Sequence, residues 1–234
     1  MTEAGPRANA RFEDIDALAP GPAIAGPQVL DELTQLGIAL KSEYELLPLL
    51  ERIVHDARRF TRAEAASLFL LEDGQLRSVV ALNDVIACWL GEDAMRHRLE
   101  SLRLRLDVPS LAGYVATTGS VLNVPDAYQI PPGRPYAFNW GMDVVTGYRT
   151  RSVLAVPLAD ASQPVLGVLE LINALDVTGS VIPFHPGLED AARAFASYAA
   201  VAVRDARCEE LSPKETLTDR CARRKPRRSS SPRK

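Results

Sequence analysis

Val165-Leu166-Gly167-Val168-Leu169-Glu170-Leu171-Ile172-Asn173 is apolar at almost every position, with one carboxylate, Glu170, in its centre. A short run of that kind reads as a strand covered on both faces. Residues 152–158 have the same character, and a polar turn around Ser162 joins the two. Upstream, residues 65–71 and 76–83 are two further apolar runs, separated by Glu72-Asp73-Gly74-Gln75. An Asp-Gly pair between apolar runs is a strong hairpin signal. Residues 102–106 and 121–124 add short strands.

Helical patterns bracket these strands. From Gln28 the residues Leu30, Leu33, Gly37 and Leu40 recur at helical spacing, and a second helix begins near Leu46 with the stripe Leu46, Leu50, Ile53, Ala57 and Phe60. Pro48 fits that helix's first turn, where no backbone N–H is needed. Residues 110–118 form a short helix between Ser110 as N-cap and Gly119 as C′. A closing helix spans 187–210 with two stripes, one of Leu188, Ala192, Phe195, Ala199, Ala202 and Ala206, the other of Ala194, Tyr198 and Val201. Two apolar faces require two partners, the sheet and either the leading helix or a second subunit. Residues 84–101 fit neither period cleanly. Residues 125–150, rich in Pro, Gly and aromatic side chains, read as a lid, since long structured loops are usually functional. The fold class is therefore α+β: an antiparallel sheet of about six strands, flanked by N- and C-terminal helices and a lid loop.

The chain has 234 residues, 47% of them hydrophobic and 24% charged, enough for an ordinary core. No apolar run reaches the length of a membrane span, and Pro20, Pro22 and Pro27 break the opening stretch, so neither a membrane anchor nor a signal peptide is expected. Cys88, Cys208 and Cys221 are too scattered for a disulfide framework or a zinc site, which points to the cytoplasm. The net charge of -3 conceals a tail, 213–234, with nine basic and two acidic residues. The expected organisation is a disordered leader over 1–27, a folded acidic domain over 28–210 and a disordered basic tail over 211–234.

Catalytic chemistry is poorly supplied. His55, His97 and His185 have no metal-ligand spacing, HExxH and GxSxG are absent, and Cys88 has no evident activating neighbour. Binding chemistry is better supplied. The helix starting after Ser110 presents unpaired N–H groups at Leu111 and Ala112, beside the small Gly113, where an anion can approach. Asp143, Thr146 and Thr150 cluster hydroxyls and a carboxylate around Gly147, alongside Tyr136, Phe138 and Trp140, whose rings could cover a purine. The bland alternative is a turn capped by its own side chains. Glu170 in a covered strand is costly unless paired, either to a ligand N–H or to Arg149 or Arg151. Ser67 and Asn83 raise the same question on the first two strands.

Four segments, in order, resemble a GAF domain: residues 111–119 (LAGYVATTG), 122–128 (LNVPDAY), 146–152 (TGYRTRS) and 165–173 (VLGVLELIN). The most similar subgroup is that of cyclic-nucleotide phosphodiesterases and cyanobacterial-type adenylate cyclases, together with the GAF domains that precede bacterial HD-GYP domains. The resemblance implies roles residue by residue. Leu111 and Ala112 match backbone positions that hold a cyclic phosphate, and Asp143, Thr146 and Thr150 match lid and pocket positions near the nucleotide. Ser67 and Glu170 match strand residues facing the purine, and the base-reading position falls on Asn83 or Asp84. An Asn-Lys pair that the family braces with a later Phe-x3-Asp-Glu is represented here by Asn173-Ala174, Phe184 and Glu189-Asp190, without the Lys and with the acids one residue late.

The implied function is a small-molecule-sensing regulatory module of a signalling protein, binding cAMP or cGMP, itself without catalytic activity, metal or other cofactor. The alternatives are a dimerising scaffold with an empty pocket, or the truncated sensor half of an HD-GYP, cyclase or phosphodiesterase enzyme. Free methionine sulfoxide reduction, found in some small GAF proteins, would need cysteines around the pocket, and only Cys88 lies within the motif span. The expected partners are the small-molecule ligand and a second copy of the chain, with weak non-specific nucleic-acid contact through the basic tail and no membrane.

Overall fold

A computed structural model describes residues 46–106, 109–159 and 164–211, with side chains to Cys208. The expected leader, the helical pattern over 30–40, the turn around Ser162 and the basic tail from residue 212 lie outside the described residues. The first described element is α1 (Leu46–Thr61), which buries Leu50, Ile53 and Ala57 of its stripe. Strands β1 (Ala63–Glu72) and β2 (Gln75–Asn83) follow. They turn through Asp73 (φ 49°) and Gly74 (φ 73°), and two successive positive φ values are what a two-residue type I′ hairpin requires.

The segment 84–101 forms two short helices, α2 (Asp84–Leu90) and α3 (Glu92–Glu100), broken at Gly91 with φ 85°. Each buries a single side chain, Ile86 and Met95. With one buried residue per helix there is no stripe to read, which is why periodicity left this stretch unassigned. Next come β3 (Arg103–Arg105), α4 (Leu111–Thr118) and β4 (Leu122–Val124). The loop expected over 125–150 contains a 3-10 turn at Ala127–Gln129 and a short helix, α5 (Gly141–Thr146). Strands β5 (Val153–Leu158), β6 (Gly167–Leu175) and β7 (Val181–Ile182) and the closing helix α6 (Glu189–Leu211) complete the fold.

Pairing is antiparallel throughout, in the order β3-β2-β1-β6-β5-β4, and β7 adds to the end of β6 that β5 leaves unpaired. The two continuously apolar strands are thus interior. One sheet face packs against α1 and α6, where Ile53, Ala57, Leu68, Leu154, Leu169 and Phe195 share a core. On α6 the buried set includes Ala196, Ala200 and Val203, which neither expected stripe contained. Alanines carry too little area to mark one face against its neighbour. Of the second stripe, Ala194 and Tyr198 are half-buried and Val201 is 41% exposed. Among the described residues no helix is long and apolar enough to cross a membrane.

Candidate functional site

The other sheet face carries small side chains at its centre. Cross-strand register sets Ala81, Ser67, Glu170 and Ala155 in one transverse row, with Asn83, Ala65, Ile172 and Val153 in the next. Side chains at paired positions share a face, so Ser67 and Glu170 stand side by side between alanines. The floor they form, roofed by α4, α5 and the α2–α3 segment, encloses a cavity of about 160 Å³. Ser67, Asn83, Leu111, Ala112, Asp143, Thr146, Thr150 and Glu170 all line it. Periodicity did not point to Met142, Tyr148, Ile86 or Leu99, which also line it. The last two come from the segment that resisted assignment.

The polar groups differ in what remains available to a ligand. Ser110 caps α4, its Oγ accepting from Gly113 N–H at 2.9 Å. The N–H groups of Leu111 and Ala112 have no partner among the described residues. Two buried donors and the positive helix end therefore face the cavity. Asp143 is fully engaged: it accepts from Thr150 N–H (2.8 Å), from the Thr150 hydroxyl (2.9 Å) and from the Tyr128 hydroxyl (2.8 Å). The Thr146 hydroxyl donates to Met142 carbonyl at 2.7 Å and accepts from Tyr148 N–H. Asn83 lines the cavity while its Oδ1 caps α2, accepting from Ile86 N–H at 3.0 Å. Asp84 instead pairs with Arg58, away from the site. Of Tyr136, Phe138 and Trp140, only Phe138 lines the cavity. Tyr136 packs on Tyr114, and Trp140 is 59% exposed.

Glu170 is the exception to this internal bookkeeping. Its carboxylate has no hydrogen-bond or ion-pair partner among the described residues, and its remaining exposure is to the cavity. Neither suggested arginine reaches it. Arg149 lies over the Tyr128 ring at 3.4 Å, and the Arg151 side chain lines a different cavity. Desolvation alone pushes the Glu170 carboxyl up to about 7.

The lid is anchored at its C-terminal end by Asn173. Its Nδ2 donates towards Glu64 Oε2, Tyr148 Oη and Arg149 carbonyl, each at 2.9 Å, and its Oδ1 accepts from Arg151 N–H at 2.7 Å. The Tyr148 hydroxyl donates to Glu64 at 2.6 Å.

A family model for the GAF domain matches residues 45–203. The chain belongs to the GAF family. The Drosophila melanogaster protein named "Dual 3',5'-cyclic-AMP and -GMP phosphodiesterase 11" is 31% identical over 140 residues, 58% of this chain and 9% of its own length. The Caenorhabditis elegans "Probable 3',5'-cyclic phosphodiesterase pde-5" is 30% identical over 158 residues, 67% of this chain and 20% of its own length. The chain thus spans only a small part of these relatives. Among solved structures, the GAF domain of a Coxiella burnetii phosphoenolpyruvate-protein phosphotransferase gives a TM-score of 0.60 at 20% identity, covering 79% of this chain and 97% of that one. Free methionine-R-sulfoxide reductase from Neisseria meningitidis gives 0.57 at 13% identity, covering 77% and 91%. At such identities the likeness is one of fold. The sequence relationship makes this GAF domain a regulatory sensor module related to those of cyclic-nucleotide phosphodiesterases.

In this GAF domain Cys88 and Cys208 are exposed and neither lines the cavity. His55 and His97 are exposed, and His185 caps the 3-10 turn before α6 through Gly187 N–H. No group of three or more His, Cys, Asp or Glu that could hold a metal occurs among the described residues. At the position where the resemblance implied a Lys, Ala174 is buried in the core, and Glu189 bonds Asn123 and Arg193.

Glu170 gives this GAF domain a pH signature without ligand. The carboxyl titrates near its ordinary 4.5 in the unfolded chain and at about 7 in the folded one, so the folded state binds the extra proton between those values. Stability is then highest below about pH 4.5 and falls as pH rises to about 7. Glu170→Gln removes that dependence. Relative to wild type it is expected to gain about 1–3 kcal/mol at pH 8 over its relative stability at pH 5, less than the full shift because the residue is only partly buried. Urea melts at both pH values check this, and an unchanged difference between the two proteins would refute it.

Proposed function

We propose that the GAF cavity binds a cyclic nucleotide, cAMP or cGMP, as the sensory input of a larger signalling protein. The observation that supports this most is the unpaired carboxylate of Glu170 beside Ser67, facing a cavity whose other end is the N-terminus of α4. Leu111 and Ala112 N–H groups would take the cyclic phosphate, and Ser67 and Glu170 would face the purine. Thr150 gives its proton to Asp143, so towards a ligand it acts as an acceptor. Its pairing with Asp143 makes both chiefly lid braces. When ionised, Glu170 accepts two adjacent N–H donors from a guanine edge but only an amino group from adenine, which favours cGMP above about pH 7.

At about 160 Å³ the cavity is smaller than the roughly 300–1,000 Å³ of ordinary ligand sites. Entry therefore requires the lid to move. Residues 131–139 are the part that can yield, since no regular structure holds them. A dimerising scaffold with an occluded pocket is the second reading, favoured by the mutual satisfaction of Asp143 and Thr150. Homodimerisation through the outward side of α6, where Val201 is exposed, fits either reading.

A melting experiment separates them. A ligand at 100 times its dissociation constant stabilises the fold by about 2.7 kcal/mol, or roughly 5–10 °C for a domain of this size. A rise of that order with millimolar cGMP or cAMP is the expected result. No shift with either nucleotide leaves the scaffold.

A further inference from the structure

A second cavity, of about 560 Å³, shares no lining residue with the first. β4 is the last strand of the sheet, and the chain after it forms the floor. The 3-10 turn and the loop through Arg134 and Tyr136 make one wall, and β7 with Pro183 makes the other. Hydrogen bonds fix the 3-10 turn and β7, while the loop through Arg134 belongs to the stretch that no regular structure holds. Ala127 N–H donates to Arg151 carbonyl at 2.7 Å, the Ser152 hydroxyl donates to Ile182 carbonyl at 2.7 Å, and the Asn123 amide donates to Phe184 carbonyl at 3.2 Å. The volume falls within the range typical of small-molecule sites.

Charge in this cavity is unbalanced. Arg134 and Arg151 both line it, both are exposed, and neither guanidinium has a partner among the described residues. The acid nearby, Asp126, is already committed, one oxygen accepting from Tyr128 N–H and the other from the Gln129 amide, each at 2.9 Å. Ile130, Pro131, Ile182 and Pro183 supply an apolar bed, with Ile182 42% exposed. A guanidinium recognises carboxylates and phosphates through bidentate hydrogen bonds.

We propose that this cavity is a second binding site, for a small organic anion: a carboxylate, sulfonate or phosphate carried on an apolar body. The anionic group sits between Arg134 and Arg151, and the body lies on Ile130, Pro131 and Ile182. The site stands whether or not the first cavity takes a cyclic nucleotide. The two are neighbours through the backbone: Tyr128, whose hydroxyl holds Asp143, directly precedes wall residue Gln129, and Arg151 directly follows Thr150.

Amide NMR of the full chain tests this with three probes: naphthalenesulfonate, neutral naphthol and inorganic phosphate. Naphthalenesulfonate should produce saturable shifts at the non-proline residues of 123–136 and at Val181 and Ile182, and naphthol and inorganic phosphate at equal concentration should each bind at least about ten-fold more weakly. Arg134→Ala combined with Arg151→Ala should weaken naphthalenesulfonate about ten-fold or more while leaving the melting temperature unchanged, because both side chains are exposed. Glu170→Gln should leave this affinity as it is. Shifts confined to residues 67, 83 and 170, equal binding of naphthol or phosphate, or undiminished binding by the double variant would each overturn the proposal.

Discussion

Gly167→Ala should destabilise the domain by about 3–5 kcal/mol, enough to lower the melting temperature by roughly 6–20 °C. Gly167 opens β6, paired with Leu70 of β1 on one side and Leu158 of β5 on the other. A Cβ built there falls well inside contact distance of the Phe69 carbonyl oxygen, and within 3.2 Å of Phe69 C and Leu70 Cα. These are backbone atoms of an interior strand, not the ends of flexible side chains. Relief would require β1 and β6 to separate, and Leu71 N–H to Leu166 carbonyl, at 2.8 Å, ties them together at that point. Thermal and urea melts of the variant measure the loss. A change below about 1 kcal/mol would mean the strands can part freely, contrary to the packing described.

Asn173→Ala should cost about 3–4 kcal/mol and loosen the lid. The side chain is 1% exposed and its backbone lies at φ 57°. Losing Oδ1 leaves the Arg151 N–H without its acceptor, and losing Nδ2 strips a donor from Glu64, Tyr148 and the Arg149 carbonyl. A buried group left unsatisfied costs about 1–3 kcal/mol, and alanine is less at ease than asparagine in the left-handed region. Asn173→Gly relaxes the backbone but forfeits the same hydrogen bonds, so it should recover only about 1 kcal/mol of the loss. Equal stability of the alanine variant and wild type in urea melts would show that these hydrogen bonds carry nothing. If glycine restores wild-type stability, the backbone alone accounts for Asn173.

The strand and hairpin framework was legible because its signals are local: continuous apolar runs for β5 and β6, and Asp73-Gly74 for the β1–β2 turn. α4 was legible from its caps, Ser110 and Gly119, more than from its apolar content. α2 and α3 were not, because each buries one residue against the sheet and most of their surface faces water. The eight residues assigned by resemblance to one site do line one cavity, but their chemistry there depends on tertiary partners that spacing cannot supply. Asp143 and Thr150, seven positions apart, satisfy each other across the end of α5. Glu170 is left without a partner because Arg149 turns to the Tyr128 ring. The brace at Asn173 joins it to Glu64, more than a hundred positions earlier, a relation no local pattern contains. The second cavity combines residues from three separated segments and had no sequence signature.

The cyclic-nucleotide reading is tested most directly by calorimetric titration of the full chain with cGMP and with cAMP at about pH 8, where Glu170 is ionised. Saturable binding of one nucleotide per chain is expected for cGMP, with cAMP weaker, and Glu170→Gln should narrow the difference between them. Failure of both nucleotides to saturate the protein at millimolar concentration would contradict it.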